Sequence, residues 1–190
     1  MNERLAYLKD RVSAETEDVL AYAEILKRSY DLRKGEGEIF RKSGLLTDFA
    51  NNIPIEIDEK ELICGSLRFW KAMDGCHNMG HIIVDYEMLL NDGLPAIKEK
   101  ISRLTTYDGR AFAEAFDAFE LFIGRCGEKA AALGMTDVAD NCQRIVNGRV
   151  QYFHEALQLV WFVHLFLHAE ATSPAISFGR FDKYMYPFYK

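Results

Sequence analysis

The sequence lacks the features that mark several large classes of protein. It has 23 basic residues against 29 acidic ones, so its formal net charge of −6 offers no basic surface for nucleic acid or an anionic membrane. Its longest apolar run, residues 156–169, is interrupted by Gln158, His164 and His168. The run is also shorter than the roughly 20 residues that span a bilayer, so it predicts a buried helix. Neither nucleic acid nor a membrane is an expected partner.

The N-terminus and the cysteines indicate a cytoplasmic location. The opening residues, MNERLAYLKDR, are charged and contain no apolar stretch of the kind found in signal peptides. The few cysteines show no CxxC spacing, and a chain of 190 residues needs no disulfides in order to fold. We therefore expect reduced and mostly buried thiols at all four positions: Cys64, Cys76, Cys126 and Cys142.

Apolar residues recur at helical spacing through most of the chain, which contains only four prolines. This pattern predicts helices over residues 3–11, 16–33, 38–51, 81–90, 94–104, 110–133 and 137–168, with Gly134 as a helix C-cap. Two short segments, residues 53–57 and 62–66, are the predicted strands. The residues after Glu170 predict a coil. The expected fold class is mainly α with a short β element, and residues 1–190 are expected to form a single segment without an internal domain boundary.

Two pairs of histidines spaced four residues apart raise the alternative of a metal site. On a helix such a pair can share one face and bind zinc. The second pair lies in a strongly apolar stretch, and nothing in the sequence brings the two pairs together. We therefore expect no bound metal, although zinc stays an alternative for these residues: His77 and His81, and His164 and His168.

Aromatic residues crowd the end of the chain, within residues 178–189. So much aromatic surface requires a cover, either the core of this chain or another polypeptide. Residues 177–189, SFGRFDKYMYPFY, resemble the SxGRFDQYMYPYY signature of pyruvate formate-lyase-like glycyl radical enzymes, with Lys183 in place of glutamine. Three more segments are similar to that family in the same order: residues 53–65, 80–94 (GHIIVDYEMLLNDGL) and 156–164 (ALQLVWFVH).

The resemblance implies that the chain is the N-terminal helical region and first barrel strand of a ten-stranded α/β barrel. In such enzymes a glycyl radical generates a thiyl radical on a cysteine, which abstracts hydrogen from a small polar substrate. The implied activity is that of a radical lyase, a dehydratase or a formate C-acetyltransferase-like enzyme. The cysteine and glycine loops lie beyond the matched segments, so we expect the chain to be inactive alone.

The resemblance also implies partners and a cofactor system. No motif for binding a cofactor is visible in this chain. The family that it resembles uses a protein glycyl radical, which a radical S-adenosylmethionine activating enzyme installs. Expected partners are the missing C-terminal portion, the activating enzyme and, in the complete enzyme, a small-molecule substrate. Homo-oligomer formation stays open. The competing interpretation is a non-catalytic, truncated or split gene product that acts as an assembly or interaction module.

Four residues are candidates for the substrate site. His81 matches a substrate-contacting histidine of dehydratase-type members, and an imidazole can protonate a leaving hydroxyl. A histidine satisfied by backbone at a helix start is the alternative. Met73 matches a pocket-shaping position, although methionine is also ordinary core filler. Ser177 matches a substrate-binding position, and Ala175 replaces a serine of glycerol-dehydratase-like members, which argues against glycerol as the substrate.

Overall fold

The computed structural model of the chain describes residues 2–13, 17–58, 60–65, 82–171 and 176–189. Within these ranges the chain is mainly helical and contains one sheet of two short parallel strands, which confirms the expected fold class. In chain order the elements are α1 Glu3–Ser13, α2 Glu17–Leu32, α3 Glu38–Asn52, β1 Ile82–Ile83, α4 Tyr86–Asp92, α5 Leu94–Ser102, α6 Tyr107–Ala132, α7 Thr136–Asn147, α8 Phe153–Ala171, β2 Ile176–Ser177 and α9 Phe181–Tyr189.

Local hydrogen bonds define both ends of the longest described helix, α6. At its start, the Thr106 hydroxyl accepts a hydrogen bond from the backbone N–H of Gly109 at 3.1 Å, which satisfies one of the free amides of the first turn. At its end, the N–H of Gly134 donates to the carbonyl of Ala131 at 3.0 Å. Gly134 has a φ of 76°, in the left-handed region that favours glycine. Gly134 therefore ends the helix as predicted, although the C-cap residue itself is Leu133.

The core is an aromatic cluster at the meeting of α3, α6 and α8. The ring centroids of Phe49 and Phe122 lie 5.3 Å apart, and those of Phe119 and Phe166 lie 5.2 Å apart. Each such pair contributes about 0.5–1.5 kcal/mol beyond the burial of its area. Helix α8 is the buried helix predicted for residues 156–169, with Phe162 fully buried.

No helix in the described part of the chain is long and apolar enough to cross a membrane.

The single helix predicted over residues 137–168 is wrong, because the chain forms the separate helices α7 and α8. The buried carboxylate of Glu155 explains the break. One of its oxygens accepts hydrogen bonds from the backbone N–H groups of Gln151 and Tyr152, at 2.8 and 3.3 Å, so it satisfies free amides where α8 begins. Its other oxygen binds the guanidinium of Arg144 on α7. The Glu155 side chain, in the first turn of α8, therefore stabilises the turn between α7 and α8.

The strand predicted over residues 53–57 is wrong, although its alternating burial is real. Ile53 and Ile57 are both buried, as a period of two predicts. The backbone nevertheless pairs with no strand among the described residues. Instead, the Arg125 guanidinium donates to the carbonyls of Ala50 and Ile53, at 2.5 and 2.9 Å. Arg125 of α6 thus binds the carbonyls at the end of α3. Residues 53–57 therefore pack on helices and do not join a sheet in the described part of the chain.

The strand predicted over residues 62–66 is also wrong for the described residues 62–65, and Ser66 lies outside them. The Gln158 side chain makes the two hydrogen bonds that a neighbouring strand would otherwise make. Its carbonyl oxygen accepts a hydrogen bond from the Cys64 N–H at 2.8 Å, and its amide nitrogen donates to the Cys64 carbonyl at 3.0 Å. A glutamine amide has the same donor and acceptor as a peptide group, so it can satisfy both backbone groups.

The strands that form are found where sequence periodicity predicted other structures. β1 and β2 are parallel, with Ile82 opposite Ile176 and Ile83 opposite Ser177. β1 lies where a helix was predicted over residues 81–90. The helical part of this segment is α4, which begins at Tyr86. Consecutive β-branched residues favour extended backbone, and the Asp85 carboxylate then caps α4 by accepting a hydrogen bond from the backbone N–H at position 88, at 2.9 Å.

The coil predicted after Glu170 is likewise corrected, because the chain forms β2 and then helix α9. Apolar residues at positions i, i+3, i+4 and i+7 form one face of α9 and pack on the core: Phe181, Tyr184, Met185 and Phe188. Pro187 lies within α9, where it removes one backbone hydrogen bond of the helix.

Candidate functional site

Ser177 is the one predicted site residue that the structure describes. It lies on β2, in register with Ile83 of β1, and its side chain is exposed. Its hydroxyl accepts a hydrogen bond from the backbone N–H of Gly179 at 3.0 Å. Gly179 has a φ of 59°, and a Cβ at this position would lie 2.9 Å from the Ile83 side chain. The turn that presents Ser177 therefore requires glycine at position 179.

The other predicted site residues, Met73, His81 and Ala175, lie outside the described residues, and so do Cys76 and His77. The roles of Met73, His81 and Ala175 stay predictions. Among the residues that the structure describes, no group of three or more histidine, cysteine, aspartate or glutamate side chains is placed to hold a metal ion.

A pair of buried histidines lies behind the strands. The Nε2 atoms of His164 and His168 are 3.2 Å apart, within hydrogen-bonding distance. The His164 ring stacks on Phe178, which follows β2, with ring centroids 4.5 Å apart. Burial, and secondly the neighbouring His168, lower the pKa of His164 to about 4, and burial lowers the pKa of His168. Both rings are therefore neutral at pH 7, and their spacing of four residues reflects a mutual hydrogen bond.

Two tyrosines complete this aromatic cluster, and sequence reasoning assigned a role to neither. The Tyr86 ring lies 6.4 Å from the Phe178 ring and 5.3 Å from the Tyr184 ring, measured between centroids. The Tyr184 hydroxyl donates to the Phe178 carbonyl at 2.8 Å. Burial raises the pKa of Tyr86 to about 12, and burial followed by the proximity of Tyr86 raises that of Tyr184 to about 12. Both phenols therefore stay protonated at pH 7. Tyr184 packs and donates a hydrogen bond, whereas the buried Tyr86 hydroxyl has no hydrogen-bond partner among the described residues, so Tyr86 acts through packing.

The four segments that carry the family resemblance contact one another in the folded chain. Residues 80–94 and 177–189 meet through the pairing of β1 with β2 and through the two tyrosines. Residues 156–164 contact residues 177–189 where His164 stacks on Phe178, and they contact residues 53–65 through the Gln158 amide. Residues far apart in the sequence thus form one continuous region around the two strands.

The described cysteines do not form a reactive centre. Cys64, Cys126 and Cys142 are free and buried, as predicted. A hydrogen bond to the Cys126 thiol and burial raise the pKa of Cys64, although a hydrogen bond with Cys142 acts in the opposite direction. A hydrogen bond with the Cys64 thiol and burial raise that of Cys142. Because the thiolate is the form of cysteine that attacks electrophiles and binds metals, the protonated and buried thiols of Cys64 and Cys142 are packing groups and not candidates for nucleophilic or metal-binding chemistry.

Comparison with known proteins agrees with this arrangement. The sequence model of the family described as "Pyruvate formate lyase-like" matches residues 67–190, which is more than half of the chain. The chain belongs to the pyruvate formate lyase-like family. It is similar to the "Probable dehydratase YbiW" of Escherichia coli, with 29% identity over 134 residues that cover 58% of this chain and 16% of that protein.

Two further comparisons give the extent of the similarity. The "(2S)-3-sulfopropanediol dehydratase" of Klebsiella oxytoca is 29% identical over 171 residues, covering 77% of this chain and 21% of that enzyme. The crystal structure of a glycyl radical enzyme from Archaeoglobus fulgidus matches with a TM-score of 0.79 and 21% identity, over 98% of this chain and 36% of that one. This second likeness shows a shared fold. The chain thus spans about a fifth or less of the curated relatives it matches.

Proposed function

We propose that residues 1–190 form the N-terminal part of a glycyl radical lyase or dehydratase that acts on a small polar substrate. The chain would supply one wall of the substrate site. A downstream part of the enzyme would supply the reactive cysteine and the radical glycine. Membership of the pyruvate formate lyase-like family and the dehydratase names of two relatives support this reaction class.

The observation that carries this proposal is the small size of the parallel sheet among the residues that the structure describes. Each strand has two residues, and the side chains of Ile82 and Ile83 are 44% and 69% exposed. Parallel sheets occur almost always with covered faces and more strands, because short strand pairs gain too little to offset the entropy of ordering them. The open β1–β2 sheet therefore favours completion by strands from the downstream part.

His81 is the proposed proton donor of this chain. In the sequence, His81 and Ala175 directly precede the first residues of β1 and β2, which are register partners, and Ser177 ends β2. An imidazole with an ordinary pKa near 6.5 can donate a proton to a leaving hydroxyl at neutral pH. The thiyl radical on the cysteine of the downstream part would abstract a hydrogen atom from a substrate carbon. Met73, Ala175 and Ser177 would shape the pocket and orient the substrate.

Complex formation tests the proposal. The chain is mixed with a second polypeptide that carries the family's cysteine and glycine loops, which we call the downstream chain. We expect a complex with one copy of each in size-exclusion chromatography with light scattering, because strands of the downstream chain cover the apolar edge at Ile83. After treatment with a radical S-adenosylmethionine activating enzyme, the complex is expected to show the electron paramagnetic resonance signal of a glycyl radical and to dehydrate or cleave a small diol.

A matched pair of variants supplies the control. Ile83→Lys places a charge on the open strand and is expected to prevent the complex. Leu20→Lys, at a helix position with 70% exposure against 69% for Ile83, is expected to leave it intact. If the chain stays monodisperse at all concentrations and does not bind the downstream chain, it is an independent domain and the proposal is wrong. A complex that forms without radical or product would favour the assembly module.

A further inference from the structure

A second open surface lies beside the β1–β2 sheet. It is a cleft of about 400 Å³ between α4, α5, α6 and α8. Asp85 is the only charged residue among the described residues that line the cleft, and its carboxylate already caps α4. Aromatic and aliphatic side chains form the other walls, principally Met88, Ile97, Phe112, Phe116, Val163 and Leu167.

The walls of this cleft are arranged as stripes along helices. Ile97 and Ile101 lie one turn apart on α5, and Phe112 and Phe116 lie one turn apart on α6. Phe112 is 49% exposed, so the cleft presents a large aromatic side chain to water. Apolar grooves bounded by helical stripes are the surfaces into which an amphipathic helix inserts residues at i, i+3 or i+4, and i+7.

We infer that this cleft docks an amphipathic helix of the downstream chain. The inference rests on the proposed function and names a second contact of the same assembly. Val84 and Asp85 line the cleft and directly follow Ile83, so the open strand edge and the cleft form one continuous surface. A polypeptide that extends the sheet at β1 therefore reaches the mouth of the cleft.

The lengths of the solved relatives also favour this occupant over a second copy of the chain. The matched glycyl radical enzyme superposes on 98% of this chain, and the match is only 36% of its own length. Most of such an enzyme is therefore chain that must pack outside these helices. Two copies with a net charge of −6 each also repel one another, which disfavours a second copy as the occupant.

The test measures the affinity of the downstream chain for cleft variants. The double variant Met88→Gln and Phe112→Gln is expected to weaken binding by at least about tenfold, because it removes apolar anchors at the mouth of the cleft. Leu121→Gln, a single change from an apolar residue to glutamine at a 40% exposed position of α6 that does not line the cleft, is expected to change the dissociation constant less than about twofold. Circular dichroism melting curves check that both proteins fold.

The outcomes separate this inference from the proposed function. If the wild-type chain does not bind the downstream chain at all, the proposed function and the inference both fail. If it binds but the double variant binds as tightly, only the cleft inference fails and the sheet edge stays as the contact. 1-Anilinonaphthalene-8-sulfonate gives an independent readout, since its fluorescence on the free chain should disappear in the complex. Persistent fluorescence, or loss of self-association alone in the double variant, would overturn the inference.

Discussion

Replacing Gln158 with leucine is expected to lower the free energy of unfolding by about 2–4 kcal/mol. Gln158 is 1% exposed, and its amide satisfies both the N–H and the carbonyl of Cys64, at 2.8 and 3.0 Å. Leucine is close to glutamine in volume but has no polar atoms, so both backbone groups of Cys64 would stay buried without a partner. Each such group costs about 1–3 kcal/mol.

Urea unfolding at pH 7, followed by circular dichroism, measures this effect. Gln143→Leu is the matched control, because Gln143 is exposed on α7 and the same change there is expected to stay within about 0.5 kcal/mol. Hydrogen exchange gives a local readout, since the Cys64 amide should lose its protection in Gln158→Leu. Equal stabilities of the two variants would show that the glutamine is not what holds residues 62–65 to α8.

The second large effect is a loss of stability at acid pH caused by the His164–His168 pair. The pKa of His164 is about 4 in the folded chain, against an ordinary value of 6.5. The unfolded chain therefore binds the proton more tightly. The stabilisation is fully present above pH 6.5 and is lost as the pH falls towards 4. After allowance for solvent screening we expect about 1–2 kcal/mol, with His168 adding in the same direction.

The variant His164→Phe isolates this contribution, because it keeps an aromatic ring against Phe178 but cannot bind a proton. Urea midpoints of the variant are expected to fall less between pH 7 and pH 4 than those of the wild type. Phe178→Leu is the control: it disturbs the same stacking contact without removing a titratable group, so it should lower stability and keep the wild-type slope. Parallel slopes in the wild type and His164→Phe would contradict the assignment.

Both effects act on contacts between the segments that resemble the family. Gln158 joins residues 156–164 to residues 53–65, and His164 joins them to the turn after Ser177. A loss of either contact is therefore expected to disturb the presentation of Ser177 as well as global stability. Helix α8 thus supports the proposed substrate wall from behind.

Much of the helical structure was predictable, because amphipathic periodicity reports burial directly. Helix α3 begins at Glu38 as predicted, and α6 ends at Ala132, one residue before its predicted end. The α9 helix also has a local signal, since an apolar stripe at Phe181, Tyr184 and Phe188 is present in the sequence that predicted a coil. The spacing of His164 and His168 is visible in the sequence, yet spacing alone does not distinguish a metal site from a mutual hydrogen bond.

The sheet was not predictable from local patterns. Residues 53–57 have the alternation of a strand but lie against helices, because Arg125 occupies the carbonyl of Ile53. β1 and β2 are two residues each and are separated by more than ninety residues of chain, so no window of sequence contains the evidence for their pairing. Hydrogen bonds between distant segments decide whether an extended segment becomes a strand.

By itself, the sequence determined the mainly helical fold class, the buried thiols that the structure describes and membership of the pyruvate formate lyase-like family. These properties follow from residue periodicity, composition and short motifs, which are local quantities. Only the tertiary structure decided which extended segments pair, that Gln158 replaces a strand beside Cys64, and that two buried histidines share a hydrogen bond behind Ser177. Those features depend on the proximity of residues far apart along the chain, and proximity arises only when the helices pack.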